Sequence, residues 1–433
     1  MPAGEDRGEG EAAVGGETMR RVYADLHIHI GRTSAGQPVK ITAARDLTFE
    51  NIARECAVRK GIEIAGIVDC GSPAVMADID RLVDSGEMIE LPAGGLRYRD
   101  ATTAADPLDR RPTTVILGCE LETVEDDGSP SHHISYFPTC QQLKVFVGFL
   151  RRLVTNLDLS SQRCRIPARR LLRMAEEAGG IFVPAHAFTP HKSPYGSCVR
   201  RLTEMFGDDG LPRLAALELG LSADSYLADR IAELAPITLL SNSDAHSLPR
   251  IAREYNVLEI EEASFQELLW ALRREHGRKV VANYGLDPKL GKYHRTFCLS
   301  CERITLADPP ALVCDACGGE EIVKGVLDRI VEIADYPEPR PPEHRPPYRY
   351  QVPLQMLPGI GAVALGKLLN RFGTEMRVLH EAKAGELELV VGAKLAGLVI
   401  RAREGTLPML AGGGGRYGKP VSDQSETQLS LGC

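Results

Sequence analysis

The stretch Asp25-Leu26-His27-Ile28-His29 lies in a strand-like run near the N-terminus and decides how the rest of the chain is interpreted. Side chains alternate between the two faces of a strand, so the imidazoles of His27 and His29 point to the same side. Asp25 lies on that side as well. Two imidazoles on one face can bind a single metal ion together. The stretch therefore predicts a first strand that carries a metal site.

Short apolar runs alternate with amphipathic segments over residues 21–285. The strand-like runs are 62–69, 113–122, 180–186, 214–220 and 237–244, and the helix-like segments are 49–61, 168–180 and 265–277. Repeated strand–helix units favour parallel strands in a barrel or an open sheet. In a (β/α) barrel the carboxyl ends of the strands form the active-site face. We therefore expect an α/β fold with functional residues at the strand ends.

Residues with metal-binding side chains do lie at these strand ends: Asp69, Glu120, Glu122, His133, His186, Glu218, Asp244 and His246. Any one of them alone is more often a packing or surface residue. Mixed imidazole and carboxylate ligands suit zinc, manganese or iron. A carboxylate such as Glu120 can bridge two ions roughly 3.5–4 Å apart, and a metal-bound water of lowered pKa would be the nucleophile. Together the residues predict a metal-dependent hydrolase of phosphate esters.

Four of the 11 cysteines are grouped as two Cys-x-x-Cys pairs: Cys298, Cys301, Cys314 and Cys317. Two such pairs give a tetrahedral zinc site, whereas a redox dithiol needs only one pair. A unit of about 20 residues (298–317) cannot bury a core, so the metal would stabilise it. The pattern predicts one structural zinc. The unit could either contact nucleic acid or serve only as a structural staple.

The segment LPGIG (357–361) precedes a helix-like stretch and is typical of a helix-hairpin-helix. Gly359 and Gly361 would allow a sharp turn and a close approach of the backbone. Amide groups at the start of the second helix can then bind a DNA phosphate without reading its sequence. A degraded second copy of the motif is suggested at 390–402, in which Gly392 is the only glycine at a turn position of the motif. The alternative is an ordinary pair of packed helices.

Composition divides the chain into six parts. We expect a disordered tail at 1–18, a metallohydrolase barrel at 19–290, a zinc-binding unit at 291–335, a Pro-rich linker at 336–350, a helix-hairpin-helix domain at 351–408 and a flexible tail at 409–433. Within that last tail Gln428-Leu429-Ser430-Leu431 resembles peptides by which bacterial repair proteins dock on the replication sliding clamp. An end without function is the alternative.

The net charge of −8 argues against nucleic-acid binding by the whole surface, but basic clusters such as 163–173 keep DNA among the candidate partners. No run of 18 apolar residues exists, so no membrane span is expected. The N-terminus lacks a secretion signal, so we expect a cytoplasmic protein without disulfides.

Six ordered motifs resemble those of the polymerase-and-histidinol-phosphatase (PHP) superfamily: DLHIH (25–29), GIVDCG (66–71), GCELET (118–123), HHISYFP (132–138), PAHAF (184–188) and SNSDAH (241–246). The resemblance implies a distorted (β/α) barrel that binds two or three divalent ions of zinc, manganese or magnesium. The ligands that it implies are His27, His29, Asp69, Glu120, His133, His186, Asp244 and His246. His133 is preferred to His132 because it directly precedes the apolar run ISYF. Many relatives carry a further histidine where this chain has Cys70, which leaves the third ion open.

Beyond the barrel, GLDPKLGKYH (285–294), the four-Cys unit and AGGGGRYGK (411–419) are similar to the endonuclease Q family. That resemblance implies an enzyme that nicks DNA on the 5′ side of uracil, hypoxanthine, xanthine or an abasic site. Glu218 and residues 190–197 are candidates for reading the base by their position near strand ends. The alternatives are a small-molecule phosphatase of the histidinol-phosphate type, a 3′–5′ exonuclease, and a DNA-binding accessory protein with an inactive barrel.

Overall fold

The computed structural model describes residues 18–99, 108, 110–410, 412 and 414–420. The strands are β1 (Arg20–Ile28), β2 (Ile64–Ile67), β3 (Met88–Glu90), β4 (Leu96–Tyr98), β5 (Thr114–Val124), β6 (Pro130–Phe137), β7 (Ile181–Pro184), β8 (Leu217–Glu218), β9 (Leu239–Leu240), β10 (Tyr255–Ile260), β11 (Lys279–Gly285), β12 (Phe297–Cys298), β13 (Ile322–Val323), β14 (Tyr348–Tyr350), β15 (Met409–Leu410) and β16 (Lys419–Pro420). The helices are α1 (Phe49–Glu55), α2 (Pro73–Asp84), α3 (Cys140–Leu150), α4 (Ala168–Glu177), α5 (Leu202–Phe206), α6 (Ser225–Ala228), α7 (Phe265–Arg273), α8 (Val326–Ile333), α9 (Ala362–Phe372), α10 (Glu375–His380), α11 (Ala384–Val391) and α12 (Ala393–Arg403).

A closed ring of strands forms the barrel. β1, β2 and β5 are parallel neighbours, whereas β6 is antiparallel to β5 and β7 is antiparallel to β6. The Ala215 amide donates to the Phe182 carbonyl at 3.1 Å, which joins β7 to the parallel pair β8–β9. The ring closes where the Ala245 amide donates to the His27 carbonyl at 3.1 Å. The reversed β6 distorts the barrel, and this confirms the expected α/β fold.

Burial on both faces explains why the central strands read as continuous apolar runs. Every residue of β5 except Val124 is buried, because helices cover the outside of the barrel while side chains fill its inside. Close packing also fixes individual residues. A Cβ at Gly66 in β2 would lie 2.4 Å from the Leu26 carbonyl oxygen of β1, so glycine is needed at this contact. The strand that carries His27 and His29 is therefore held tightly by its neighbour.

The segment predicted to be a Pro-rich linker is anchored to the barrel. The side chain of Arg345 is 2% exposed, and its Nε donates to the Asp229 carboxylate at 2.9 Å. Its Nη1 also donates to the Ile237 carbonyl at 2.7 Å. The chain then enters β14, which pairs in parallel with β11 at the edge of the main sheet. Composition predicted a linker, but these long-range contacts fix the segment to the barrel and to the edge strand β11.

Helices α9 to α12 form a helical unit with two glycine turns. Gly359 has φ +87° and lies before α9, and Gly392 has φ +81° and lies between α11 and α12. A Cβ at Gly359 would meet Leu395 of α12 at 3.0 Å, so the two turns are side by side. The buried ion pair between Lys60 Nζ and Glu375 Oε1, at 3.0 Å, attaches this unit to the barrel.

The tail predicted to be flexible is partly ordered, which corrects the expected boundary at residue 409. β15 and β16 pair with each other, and the Gly412 amide donates to the Lys289 carbonyl at 2.7 Å. The Gly418 amide donates to the Leu290 carbonyl at 2.9 Å. Glycine permits these close backbone approaches, which composition alone cannot distinguish from flexibility. The clamp-like Gln428–Leu431 and most of the predicted N-terminal tail lie outside the described residues.

None of the helices in the described ranges is both long enough and apolar enough to cross a membrane.

Candidate metal centre

The carboxyl end of β1 places His27 and His29 inside the barrel, where both side chains are buried. Their Nε2 atoms lie 3.2 Å apart. From β5, Glu120 reaches both rings, with Oε1 3.6 Å from His27 Nε2 and Oε2 3.7 Å from His29 Nε2. These three side chains offer ligand atoms that all lie within 4.8 Å of one another. Buried imidazoles and a carboxylate converging on one point form a candidate metal site.

The loop after β9 supplies Asp244 and His246, which form a second group together with His29. Asp244 Oδ1 lies 3.4 Å from His29 Nε2 and 3.5 Å from His246 Nδ1. His29 is therefore shared between this group and the first.

A third group consists of Glu120, His132 and His186. Glu120 Oε1 lies 3.2 Å from His132 Nδ1 and 3.5 Å from His186 Nε2. Burial raises the pKa of Glu120, but His132 and Lys40 outweigh it and hold that pKa well below its usual value. Glu120 belongs to two of the three groups, as a carboxylate bridging neighbouring ions would.

Two of these side chains depend on unusual backbone conformations. Asp244 has φ +44° and His186 has φ +29°, both in the left-handed region. Such conformations cost about 1–3 kcal/mol each and persist where the surrounding structure enforces them. Next to His186, a Cβ at Gly220 would lie 2.9 Å from the His186 Cβ, so glycine keeps this space open. The barrel thus holds strain at positions that aim donor atoms into the cluster.

Two buried carboxylates orient the histidines through their Nδ1 atoms, on the side of each ring away from the cluster. Glu218 Oε2 lies 2.9 Å from His27 Nδ1, and Asp69 Oδ2 lies 3.0 Å from His29 Nδ1. Carboxylates commonly orient metal-bound histidines in this way. Burial lowers the pKa of His27, but the adjacent Glu218 outweighs it and raises that pKa to about 10. Glu218 thus lies beneath His27, which corrects its earlier interpretation as a base-reading candidate.

The donor set fits divalent ions. The imidazole nitrogens and carboxylate oxygens suit zinc or manganese, and every member of the first group is buried. Asp69 Oδ1 is also buried and has no hydrogen-bond partner within the described ranges. This free lone pair next to the cluster is what a metal ligand would provide. Asp69 therefore stays a proposed ligand, in addition to its contact with His29.

The structure corrects the choice between the two adjacent histidines of β6. His132 is paired with Glu122 of β5, on the same face as Glu120, and its ring reaches the cluster. His133 points to the other face, where its Nε2 lies 2.8 Å from Ser131 Oγ. Its ring stacks on Phe182, and burial lowers its pKa to about 3. The neighbouring apolar run could not identify the inward face, because register with β5 sets it.

A pair of variants tests this correction. We expect His132→Ala to weaken metal binding by at least about 10–100-fold, since it removes a donor from the cluster. His133→Phe, which keeps an aromatic ring against Phe182, should bind metal as the parent chain does. The measurement is metal per chain after dialysis against graded metal concentrations. Loss of metal in the His133 variant alone would reverse the assignment.

Two further side chains have roles that the motifs did not reveal. Asp25 is buried and accepts hydrogen bonds from the amides of Ala252, at 2.8 Å, and Ser243, at 3.1 Å. It therefore holds the loop of Asp244 rather than facing the metals. Lys40, from the loop after β1, places Nζ 3.7 Å from Glu120 Oε2. Its ammonium adds a positive charge beside the cluster.

A cavity of about 280 Å³ opens above the cluster. Its lining includes Lys40, His132, His186, Asp244, His246, His191, Lys292, Tyr293 and Tyr417. A second cavity of about 170 Å³ lies beside it and shares His191, Lys292 and Tyr293 with the first. The other walls of the second cavity include Arg295, Phe297, Lys324 and Gly414. Lysine and aromatic side chains thus surround the approach to the cluster.

The four grouped cysteines meet at one point outside the barrel. The Sγ atoms of Cys298 and Cys317 are 3.7 Å apart, and those of Cys301 and Cys314 are 3.6 Å apart. Tetrahedral zinc with bonds of about 2.3 Å requires sulfur atoms about 3.8 Å apart. Backbone amides of Cys301 and Ser300 lower the pKa of the Cys298 thiol to about 6, which favours the thiolate. The geometry fits the predicted structural zinc.

Comparison with known proteins agrees with this geometry. The PHP-associated family matches residues 225–276. The chain is 45% identical to the Bacillus subtilis protein YqxK over 403 residues, which are 93% of this chain and 99% of YqxK.

Two solved structures match almost the whole chain. One is the lesion-specific endonuclease PfuEndoQ from Pyrococcus furiosus, with 32% identity, a TM-score of 0.76, and coverage of 93% of this chain and 95% of that one. The other is endonuclease Q in complex with a 27-mer duplex carrying an abasic lesion, with 32% identity, a TM-score of 0.76, and coverage of 94% and 98%. The chain belongs to the endonuclease Q family of PHP-type metal-dependent hydrolases.

Proposed function

We propose that this protein is a DNA repair endonuclease that hydrolyses the phosphodiester 5′ of a deaminated base or an abasic site. The observation that carries the proposal is a cluster at the floor of a lysine-lined cavity, in which His27, His29, Glu120 and His132 are buried, and His186, Asp244 and His246 are half-buried. Family membership supports the substrate, since one solved relative holds duplex DNA with an abasic lesion at its active site.

The residues of the cluster would hold two or three divalent ions, of zinc, manganese or magnesium. When bound, such ions supply Lewis acidity and a water of lowered pKa. The chain itself positions the substrate. Lys40 and Lys292 line the cavity above the cluster and offer ammonium groups to a phosphodiester. The left-handed backbone at Asp244 and His186 fixes the donors in advance, so little rearrangement is needed when the substrate binds.

The second cavity is the proposed place for the damaged nucleotide. A base beside the scissile phosphate must leave the stack to be inspected, at a cost of a few kcal/mol. Tyr293 and Phe297 offer aromatic faces in this cavity, and Arg295 and Lys324 offer hydrogen-bond donors. Because His191 borders both cavities, a nucleotide could extend from one into the other. The predicted loop 190–197 is therefore retained as a base-contacting candidate, whereas Glu218 is not.

The direct test uses 5′-labelled duplexes that each carry one uracil, hypoxanthine, xanthine or abasic site, with manganese, magnesium or zinc salts. We expect a single nick on the 5′ side of the lesion and none in the matched undamaged duplex. Release of nucleotides from the 3′ ends alone would identify an exonuclease. Phosphate release from histidinol phosphate without any nick would identify a small-molecule phosphatase. Either result would overturn the proposal.

We also propose that the glycine turn before α9 binds a DNA phosphate away from the lesion. Added atoms at Gly361 would meet nothing in the protein, so Gly361→Ala blocks the approach of a phosphate without disturbing the fold. We expect duplex binding to weaken roughly three- to ten-fold, which corresponds to the loss of one hydrogen bond. The loss should be equal for damaged and undamaged DNA. Gly366→Ala is the matched control, because its Cβ also meets nothing.

Fluorescence anisotropy with both duplexes measures this effect. A loss of affinity confined to damaged DNA, or an equal loss in the Gly366→Ala control, would contradict a sequence-independent phosphate contact at this turn. Docking on the sliding clamp through Gln428–Leu431 is a separate proposal that rests on those four residues alone.

A further inference from the structure

A large cavity lies at the end of the barrel opposite to the metal cluster. It has a volume of about 730 Å³ and is enclosed between the start of β1 and the helical unit. Arg21 at the start of β1 is in its wall, and His27 lies six residues further along the same strand. At about 3.3 Å per residue this places Arg21 roughly 20 Å from His27, and Tyr23, also in the wall, roughly 13 Å from it. The cavity is therefore a different site.

The cavity is strongly basic in a chain whose net charge is −8. Among the described residues that line it are seven arginines and two carboxylates: Arg20, Arg21, Arg110, Arg111, Arg349, Arg377 and Arg403, with Glu63 and Glu381. Like charges gathered in a concave space raise the local concentration of anions. The composition of this wall thus points to an anionic ligand.

The arginines divide into two classes. Four already donate to other groups of the protein. Arg20, for example, pairs with Glu63, with Nη1 2.6 Å from Oε2. The other three, Arg21, Arg111 and Arg349, are exposed. Within the part of the chain that the structure describes, these three guanidiniums form no ion pair and donate no hydrogen bond. A guanidinium offers five N–H donors in a planar fork that matches phosphate oxygens. Three such forks around one cavity are suited to a phosphorylated ligand.

Aromatic rings form the remaining part of the wall. Tyr23, Tyr284 and His380 are half-buried and line the cavity. The rings of Tyr23 and His380 stack with centroids 4.9 Å apart, and Tyr284 meets His380 edge-on at 4.9 Å. Burial lowers the pKa of His380 to about 4, so this ring is a neutral aromatic surface and not another cation. Such surfaces stack on nucleobases without selecting one base.

We propose that this cavity binds a free nucleotide, with its phosphates on Arg21, Arg111 and Arg349 and its base against the ring cluster. The volume lies within the usual range for small-molecule sites. The walls come from both the barrel and the helical unit, since Tyr23 belongs to β1 and His380 to α10. Bound nucleotide would therefore strengthen the attachment of the helical unit to the barrel.

The phosphates of a DNA strand share this chemistry, so the experiment separates the two sources. Full-length protein is titrated calorimetrically with ATP, with AMP, and with a ten-nucleotide single strand lacking damage. We expect saturable ATP binding at one site per chain, and a higher thermal unfolding midpoint when ATP is present. Asp244→Asn should leave both results unchanged, because the metal cluster is not involved.

The double variant Arg21→Ala/Arg349→Ala should bind ATP roughly a hundred-fold more weakly, since each lost charge-assisted contact weakens binding about ten-fold. Arg151→Ala/Arg152→Ala removes two exposed arginines outside the cavity and is the matched control, with binding unchanged. The proposal fails if no nucleotide binds, or if the cavity variant binds ATP as the parent does. It also fails if the oligonucleotide alone binds and the cavity variant loses that binding.

Discussion

Asp244→Asn is expected to abolish nicking beside a lesion, lowering the rate at least about 1,000-fold, because catalytic ions supply several kcal/mol of transition-state stabilisation. Asp244 Oδ1 lies 3.4 Å from His29 Nε2 and 3.7 Å from His27 Nε2, so it faces two ligand groups at once. Asparagine keeps the size of the side chain and tolerates the left-handed backbone that Asp244 adopts at φ +44°. The variant therefore removes a charge without removing the shape.

The His27→Ala variant should be equally inactive, but it is a less informative experiment. Glu218 Oε2 lies 2.9 Å from His27 Nδ1, and both side chains are buried. Alanine at residue 27 would leave that buried carboxylate with the neutral donors of Asn242 and the His186 amide but without its imidazole partner, which is destabilising. Inactivity could then reflect unfolding.

The measurement for Asp244→Asn is the single-turnover rate of nicking on a uracil duplex over a range of manganese concentrations. Circular dichroism and the thermal midpoint should match those of the parent chain. Asp84→Asn, at an exposed carboxylate of α2, is the control and should nick at the parental rate. Full activity of Asp244→Asn at saturating metal would remove Asp244 from the site.

Local patterns were enough to predict the barrel. The alternation around His27 and His29 and the donors at later strand ends depend only on period-two geometry and on where parallel strands terminate. The reversal of β6 escaped prediction because an antiparallel strand has the same internal pattern as a parallel one. The choice between His132 and His133 needed the register of β6 against β5 for the same reason.

Residues whose roles depend on distant contacts could not be found from the sequence. Lys40 lies in a loop without a motif, and only the folded chain brings its Nζ within 3.7 Å of Glu120. Asp25 lies in the first motif and looks like a ligand, yet two of the amides that donate to it, those of Ser243 and Ala252, are more than 200 positions away. The ordering of Gly412 on the barrel is likewise a tertiary contact in a segment of flexible composition.

Loss of the four-Cys site is the second large effect. Apparent zinc-binding energies in comparable small units are about 10–16 kcal/mol, far more than such a unit's own packing provides. Cys298 is buried in β12, and β12 pairs with β13 through two residue pairs. We therefore expect Cys298→Ser to lose the zinc and to unfold the segment between the two cysteine pairs. Cys140→Ser, at a cysteine outside the group, should keep both.

The zinc content per chain, measured by atomic emission, and limited proteolysis around residues 298–323 measure this loss. The parent chain should resist cleavage there, and the Cys298 variant should be cut even at low protease. A Cys298→Ser chain that keeps its zinc and its resistance would show that the four sulfurs do not hold a structural ion.

The consequence for activity separates this site from the catalytic cluster. Phe297 precedes Cys298 and pairs with Val323, and both residues line the proposed pocket for the damaged base. The cluster of His27 and Glu120 lies inside the barrel and makes none of these contacts. Unfolding the zinc unit should therefore weaken the distinction between damaged and undamaged duplex while leaving active-site metal in place. A Cys298→Ser chain that loses zinc but still nicks only beside lesions would place base recognition elsewhere, because the wall that Phe297 and Val323 form would no longer exist.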